Sequence, residues 1–206
     1  MIIETLVVGM IQANCFIVAD EATKKAIIID PGGDAPVIAR KIKSMGVEVV
    51  AIVATHGHFD HVEGLAGVKA SIPAPIMVHP ADLPLIRNMK NQGALFGINV
   101  TEAPAPDGEL SDGQEIAFGN LKASVLHTPG HSRGSVSFLV GNHVFVGDLL
   151  FSGSIGRTDL TGGDYDTLIN SVTKRIFTLP DDTVVHPGHG PDTRVGTEKR
   201  TNPFFR

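Results

Sequence analysis

The chain contains no tryptophan, one tyrosine and one cysteine. A lone thiol, Cys15, cannot close an intrachain disulfide, so the core must hold the fold, which suits a reducing, cytoplasmic setting. No stretch approaches the roughly 18 apolar residues that a membrane-spanning helix needs, so none is expected. Glu4 interrupts the first apolar run and no basic segment precedes it, which argues against a secretory signal peptide. Basic residues are also in deficit. Seventeen Lys and Arg against 22 Asp and Glu give a net charge of −5, a poor balance for gripping nucleic-acid backbone. Neither nucleic acid nor a membrane is therefore an expected partner, and the oligomeric state is open.

What the chain does have is histidine: nine among 206 residues, of which 42% are hydrophobic. This length and apolar content suffice for one substantial core, so residues 1–206 are read as a single domain. Ile2 to Val8, Cys15 to Ala19 and Ala26 to Ile29 read as strands. Asp34 is placed to cap a helix burying Ile38, Ile42 and Met45, with Gly46 as its stop. Val49 to Ala54 is a doubly buried strand, followed by a helix from Asp60 to Ala70 and a strand at Ile76 to Val78. Residues 80–97 carry a weak helical pattern, cut by Pro84 and Gly93. Strands return from Glu115 to Val146, with Gly-Asn turns at 119–120 and 141–142. Leu168, Ile169, Val172 and Ile176 then mark an amphipathic helix, before a strand at Thr183 to Val185 and a last short helix. The two halves thus repeat one order of elements, an α/β pattern.

Chemistry concentrates where strands end. Thr55-His56-Gly57-His58-Phe59-Asp60-His61 follows the strand ending at Ala54. Three imidazoles and a carboxylate this close are costly in a purely structural loop, but they are good donors to zinc and similar ions. Thr128-Pro129-Gly130-His131 and His186-Pro187-Gly188-His189 each present a histidine on a rigid turn after a strand, and Gly147-Asp148 ends another. Singly, each turn is weak. Together, four strand-end sites holding five histidines and two aspartates point to a metal centre.

His-x-His-x-Asp-His, Pro-Gly-His, Gly-Asp and a second Pro-Gly-His, in that order along the chain, resemble the metallo-β-lactamase-fold superfamily. The resemblance implies a four-layer αββα sandwich, two mixed sheets packed face to face with helices outside. It implies two divalent metal ions, zinc by expectation, with iron or manganese as alternatives. His56, His58 and His131 would hold the first; Asp60, His61 and His189 the second; Asp148 would bridge. Two divalent ions offset by two aspartates leave a net positive site, enough to ionise a water near neutral pH. Asp60 and Asp148 would thus serve catalysis through the hydroxide they help to hold.

Gln12-Ala13-Asn14-Cys15, Asp30-Pro31-Gly32-Gly33 and Gly188-His189-Gly190-Pro191 resemble glyoxalase II, the hydroxyacylglutathione hydrolases. That likeness implies hydrolysis of a small-molecule acyl thioester, such as S-D-lactoylglutathione. A thiolate leaves without prior protonation more easily than an amine, which favours the same substrate class. Arg157 occupies the position of a basic residue in that group and is a candidate for binding a substrate carboxylate. Against this, Arg157 and Asp159 could simply pair with each other. Only 16 residues follow Gly190, so no counterpart of the helical C-terminal domain of full glyoxalase II is expected. The alternative is a mononuclear iron persulfide dioxygenase of the same fold, which leaves the second set of ligands unused. Cys15 is expected to be a buried inert thiol, Asn14 a packing or subunit-contact residue, and His127 and His186 strand-end residues able at most to orient a ligand.

Overall fold

In a computed structural model describing residues 1–206, each half of the chain builds one sheet. The first half supplies β1 (Ile2–Val8), β2 (Ala13–Ala19), β3 (Lys25–Ile29), β4 (Glu48–Val53), β5 (Ile76–Val78) and β6 (Gly108–Glu109), paired in that order. β1 to β3 are antiparallel neighbours, whereas β3 to β6 run parallel. The parallel steps need crossovers, and helices α1 (Ala35–Met45), α2 (Phe59–Val62), α3 (Leu65–Ser71), α4 (Leu83–Arg87) and α5 (Met89–Leu95) lie within them.

The second half supplies β7 (Glu115–Phe118), β8 (Leu121–His127), β9 (Val136–Val140), β10 (His143–Gly147), β11 (Leu150–Phe151), β12 (Ser154–Ile155), β13 (Val184–Pro187) and β14 (Thr193–Arg194). Its main sheet runs β14-β13-β10-β9-β8-β7, mixed because β10 and β13 are parallel, while β11 and β12 pair apart as a ribbon. Helices α6 (Tyr165–Ser171) and α7 (Val195–Thr201) cover it.

Alternation along the strands explains the layers. In β2, Phe16 and Val18 meet Phe138 and Phe145 of the other sheet, while Cys15, Ile17 and Ala19 face Ile38, Leu65 and Val68 of the helices. On the far side, Val144 and Val146 of β10 pack on Leu168 and Val172. The result is the α/β four-layer sandwich, helices outside two mixed sheets. No helix is long and apolar enough to cross a membrane.

Three local expectations are corrected. Asp34 stands at the N-cap position of α1, but with φ 46° its side chain makes no cap and instead accepts from the Gly9 N–H at 2.9 Å. The helix expected over 60–70 is two, broken at Glu63-Gly64, because the Gly64 N–H turns to the Pro31 carbonyl at 2.8 Å. The helix around Leu168 changes pitch at Val172–Ile176 into a π-turn, closed by Phe177 N–H to Val172 C=O at 2.8 Å. The short strands β6, β11, β12 and β14 span two residues each and carry too little pattern to be read from sequence.

Candidate metal centre

The ends of β3, β4, β8, β10 and β13 meet at one edge of the sandwich, and their loops are stitched across the two sheets. Val136 N–H donates to Thr55 C=O at 2.8 Å and Asn14 N–H to Gly188 C=O at 2.7 Å across the sheets, while Gly188 N–H donates to Gly147 C=O at 2.8 Å within the second sheet. All seven residues singled out in the motifs come together there. His56, His58 and His131 form one group, Asp60, His61 and His189 another, with donor atoms within 4.8 Å of each other in each. Asp148 lies between them, Oδ1 3.4 Å from His61 Nε2 and Oδ2 3.7 Å from both His131 Nε2 and His189 Nε2.

Hydrogen bonds behind the rings set their tautomers. The Asp30 carboxylate accepts from Thr55 N–H and from Thr55 Oγ1, both at 2.6 Å. With its proton committed to Asp30, Thr55 Oγ1 accepts from His56 Nδ1 at 3.0 Å, which leaves His56 Nε2 a bare lone pair. His61 Nδ1 donates to Asp30 Oδ2 at 3.0 Å, His131 Nδ1 to the Arg157 carbonyl at 2.8 Å, and His189 Nδ1 to the Gln12 carbonyl at 3.2 Å. All four rings therefore engage Nδ1 outside the cluster and turn Nε2 inward, the arrangement by which outer partners orient metal-binding histidines. His58 differs, presenting Nδ1, 2.8 Å from His131 Nε2.

This donor set fits a metal. His56 Nε2 and Asp148 Oδ1 are buried with no hydrogen-bond partner, a costly state unless a cation takes up their lone pairs. Room for one exists because residue 188 is glycine: a Cβ there would lie 2.3 Å from Asp148 Oδ1 and 2.7 Å from His61 Cε1. Electrostatics agree with the geometry. Burial, then the neighbouring His61 and His131, holds His56 well below the usual imidazole value, and burial with His131 lowers His58 to about 4. Both rings are neutral and ready to donate at pH 7. Burial opposes a charged His61, yet Asp60, Asp148 and Asp30 raise it well above its ordinary value. Burial likewise resists ionisation of Asp148, but His61 wins and keeps its carboxyl far below the carboxylate range. A cation would relieve the whole cluster.

One supporting residue carries no motif. Asp82, 1% exposed, accepts from Gly57 N–H at 2.9 Å, Ser132 Oγ at 2.6 Å and Gly134 N–H at 2.7 Å, tying the His56–His61 loop to the His131 loop. Nothing near Asp82 in the sequence marks it, since its partners lie 25 to 52 residues away. Asp30 stands in the Asp30-Pro31-Gly32-Gly33 motif, and the structure gives it a role, as acceptor for Thr55 and His61. Asn14 does more than pack: its Nδ2 donates to the carbonyls of Pro187 and Gly190, both at 2.9 Å, and so fixes the turn that carries His189. His186 instead bonds His143 at 2.9 Å and Asp192 at 2.9 Å, and His127 stacks on His79 at 4.4 Å; neither reaches the centre. Cys15 is fully buried, and burial with the nearby Asp30 charge pushes its thiol up, leaving it unreactive.

Over the cluster opens a cavity of 570 Å³, with His58, Asp60, His131, Asp148 and His189 facing it and Arg157 at its edge. Arg157 is exposed and makes a two-point ion pair with Asp159, Nε to Oδ1 and Nη2 to Oδ2 both at 2.7 Å.

The sequence profile of the metallo-beta-lactamase superfamily matches residues 8–189. The chain belongs to that superfamily and is a metal-dependent hydrolase of its kind. It is similar to the hydroxyacylglutathione hydrolase GloC of Haemophilus influenzae, 36% identical over 98% of this chain and 97% of the relative. Among solved structures it is similar to the BLEG-1 B3 metallo-beta-lactamase, TM-score 0.92 and 36% identity, covering 99% of both chains. TTHA1623, solved in a di-iron-bound form, matches with TM-score 0.90 and 40% identity over 98% of this chain and 99% of that one.

Proposed function

We propose that this chain is a dinuclear metallohydrolase cleaving acyl thioesters, with S-D-lactoylglutathione the first substrate to test. Asp148 carries the reading. It lies between the two groups, 3.4 Å from His61 and 3.7 Å from His131, with one oxygen unpartnered. Residues for two ions are present, which a mononuclear dioxygenase would not use. His56, His58 and His131 would hold one ion, Asp60, His61 and His189 the other, and Asp148 both. Zinc, iron and manganese all suit this mixed nitrogen and oxygen set, and the di-iron form of TTHA1623 supports iron beside zinc. Bound ions would supply a nucleophilic hydroxide at neutral pH and polarise the substrate carbonyl.

The protein's own part is positioning. Asp30, through Thr55 and His61, keeps imidazole lone pairs aimed inward, so no ring must reorient during turnover. Asp60 and Asp148 supply negative charge that balances the ions and can hold the proton of an attacking water by hydrogen bond. Arg157 at the cavity edge can bind a substrate carboxylate by two hydrogen bonds once it leaves Asp159. The likeness to GloC supports a thioester as the first substrate class to test.

The test is replacement of the shared ligand. Asp148→Ala is expected to lower metal affinity and to cut thioester hydrolysis by several orders of magnitude while the metal-free protein stays folded. Near-native activity of Asp148→Ala at full loading would sink the bridging role. Oxygen uptake with glutathione persulfide by a protein holding one iron would favour the dioxygenase.

A further inference from the structure

Beyond its metal-facing floor, the 570 Å³ cavity has walls of a different chemistry. Pro84 and Leu85 come from α4, Leu95 ends α5 and Phe96 directly follows it, Ile11 comes from the β1–β2 loop, and Leu160 from the segment between β12 and α6. Leu95 is 84% exposed, Phe96 52% and Ile11 36%. Large apolar side chains gathered at the mouth of a cleft, rather than scattered, mark a surface that a ligand covers.

The wall is part of the reactive loop's own framework. Phe96 packs on Phe59 with ring centroids 5.6 Å apart. Gln92 Oε1 accepts from the Phe59 N–H at 3.2 Å, and its Nε2 donates to the Leu85 carbonyl at 2.7 Å. Phe59 directly follows His58, so the apolar wall is held at a fixed place beside the reacting face. Charge points the same way. Arg157 is the one Lys or Arg lining the cavity, and Asp159 already occupies its guanidinium. A multiply anionic substrate arm would meet only this one guanidinium, and that by displacing Asp159, whereas a hydrocarbon arm finds a prepared surface.

Resting on the thioester reading above, we propose that the substrate of this site carries an apolar arm, a medium-length alkyl or aryl group, laid against Leu95, Phe96 and Ile11. The small hydroxyacyl group of a lactoyl ester leaves this wall bare. The arm belongs to either half of the thioester, acyl or thiol.

Two substrate series distinguish the halves, both with metal-loaded protein. One runs from acetyl to octanoyl on N-acetylcysteamine; the other is acetyl thioesters of ethanethiol, butanethiol and hexanethiol. In one series kcat/KM should rise about twofold to fourfold per added methylene, up to the limit of about 0.8 kcal/mol for each one fully buried. The gain should lie mainly in KM. Leu95→Ser and Phe96→Ser should flatten that rise. A flat or falling dependence in both series, with thioesters still hydrolysed, would overturn the apolar arm and leave the hydrolase reading standing. Titration with octanoate against acetate gives a readout without turnover. If no thioester is hydrolysed but octanoate binds at least tenfold tighter, and Leu95→Ser removes the difference, the apolar site stands and the thioester reading falls. Equal binding of the two acids, without hydrolysis, would overturn both.

Discussion

Asp30 Oδ2 lies 3.0 Å from Nδ1 of His61, a buried contact between the end of β3 and the start of α2. The same carboxylate holds Thr55, and through it His56, so one residue orients a ring in each half of the cluster. Asp30 adopts φ 52°, a backbone conformation asparagine tolerates well. Asp30→Asn should therefore fold but bind metal about 10- to 100-fold more weakly, the usual cost of losing an outer partner. Competition with a chromophoric chelator measures it. Unchanged affinity would show that the bond to His61 does not govern ligand orientation.

Asp82 supports the site from behind, and its loss is a stability matter first. Asp82→Ala strands three donors in the interior, Gly57 N–H, Ser132 Oγ and Gly134 N–H. At about 1–3 kcal/mol for each unsatisfied buried group, unfolding free energy should drop by about 3 kcal/mol or more. Urea denaturation of the metal-free protein reads this directly. Asp82→Asn, which keeps an acceptor, should lose less than Asp82→Ala.

Arg157 gives the opposite pattern. Its pair with Asp159 is exposed, so Arg157→Ala should change stability by less than about 1 kcal/mol. For thioesters bearing a carboxylate KM should rise roughly tenfold with kcat little changed, as when binding equal in ground and transition states is lost. Neutral thioesters should be unaffected. Equal impairment of both kinds, or unfolding, would make the arginine purely structural.

Opposed histidine shifts give the metal-free protein a stability optimum in pH. The folded value of about 4 for His58 lies below the ordinary 6.5, and His56 moves the same way. As pH falls from about 6.5 towards 4, the unfolded chain takes up protons that these folded rings refuse, so stability declines. His61 and His189 are raised instead. Their contribution is complete below the unfolded value and is lost as pH climbs through the folded one. Urea midpoints of chelator-treated protein between about pH 4.5 and about pH 9 should peak near 6.5. A steady rise across that range would contradict the balance.

The sequence alone determined the strand-end motifs and the layered α/β order. Both are local signals: a run of apolar residues such as Val49 to Ala54 declares a buried strand, and His56 to His61 stand within six positions of one another. Tertiary structure alone decided which atoms face which. The Nε2 of His56 points inward because Asp30, 26 residues earlier, fixes the proton of Thr55, and no local pattern records that chain of bonds. The same holds for Asp82, whose three donors come from two loops on different sheets. The break at Gly64 arose likewise, from a carbonyl of Pro31 more attractive than the next helical turn. Periodicity reports what a segment buries; only the packed fold says which distant partner satisfies its polar groups.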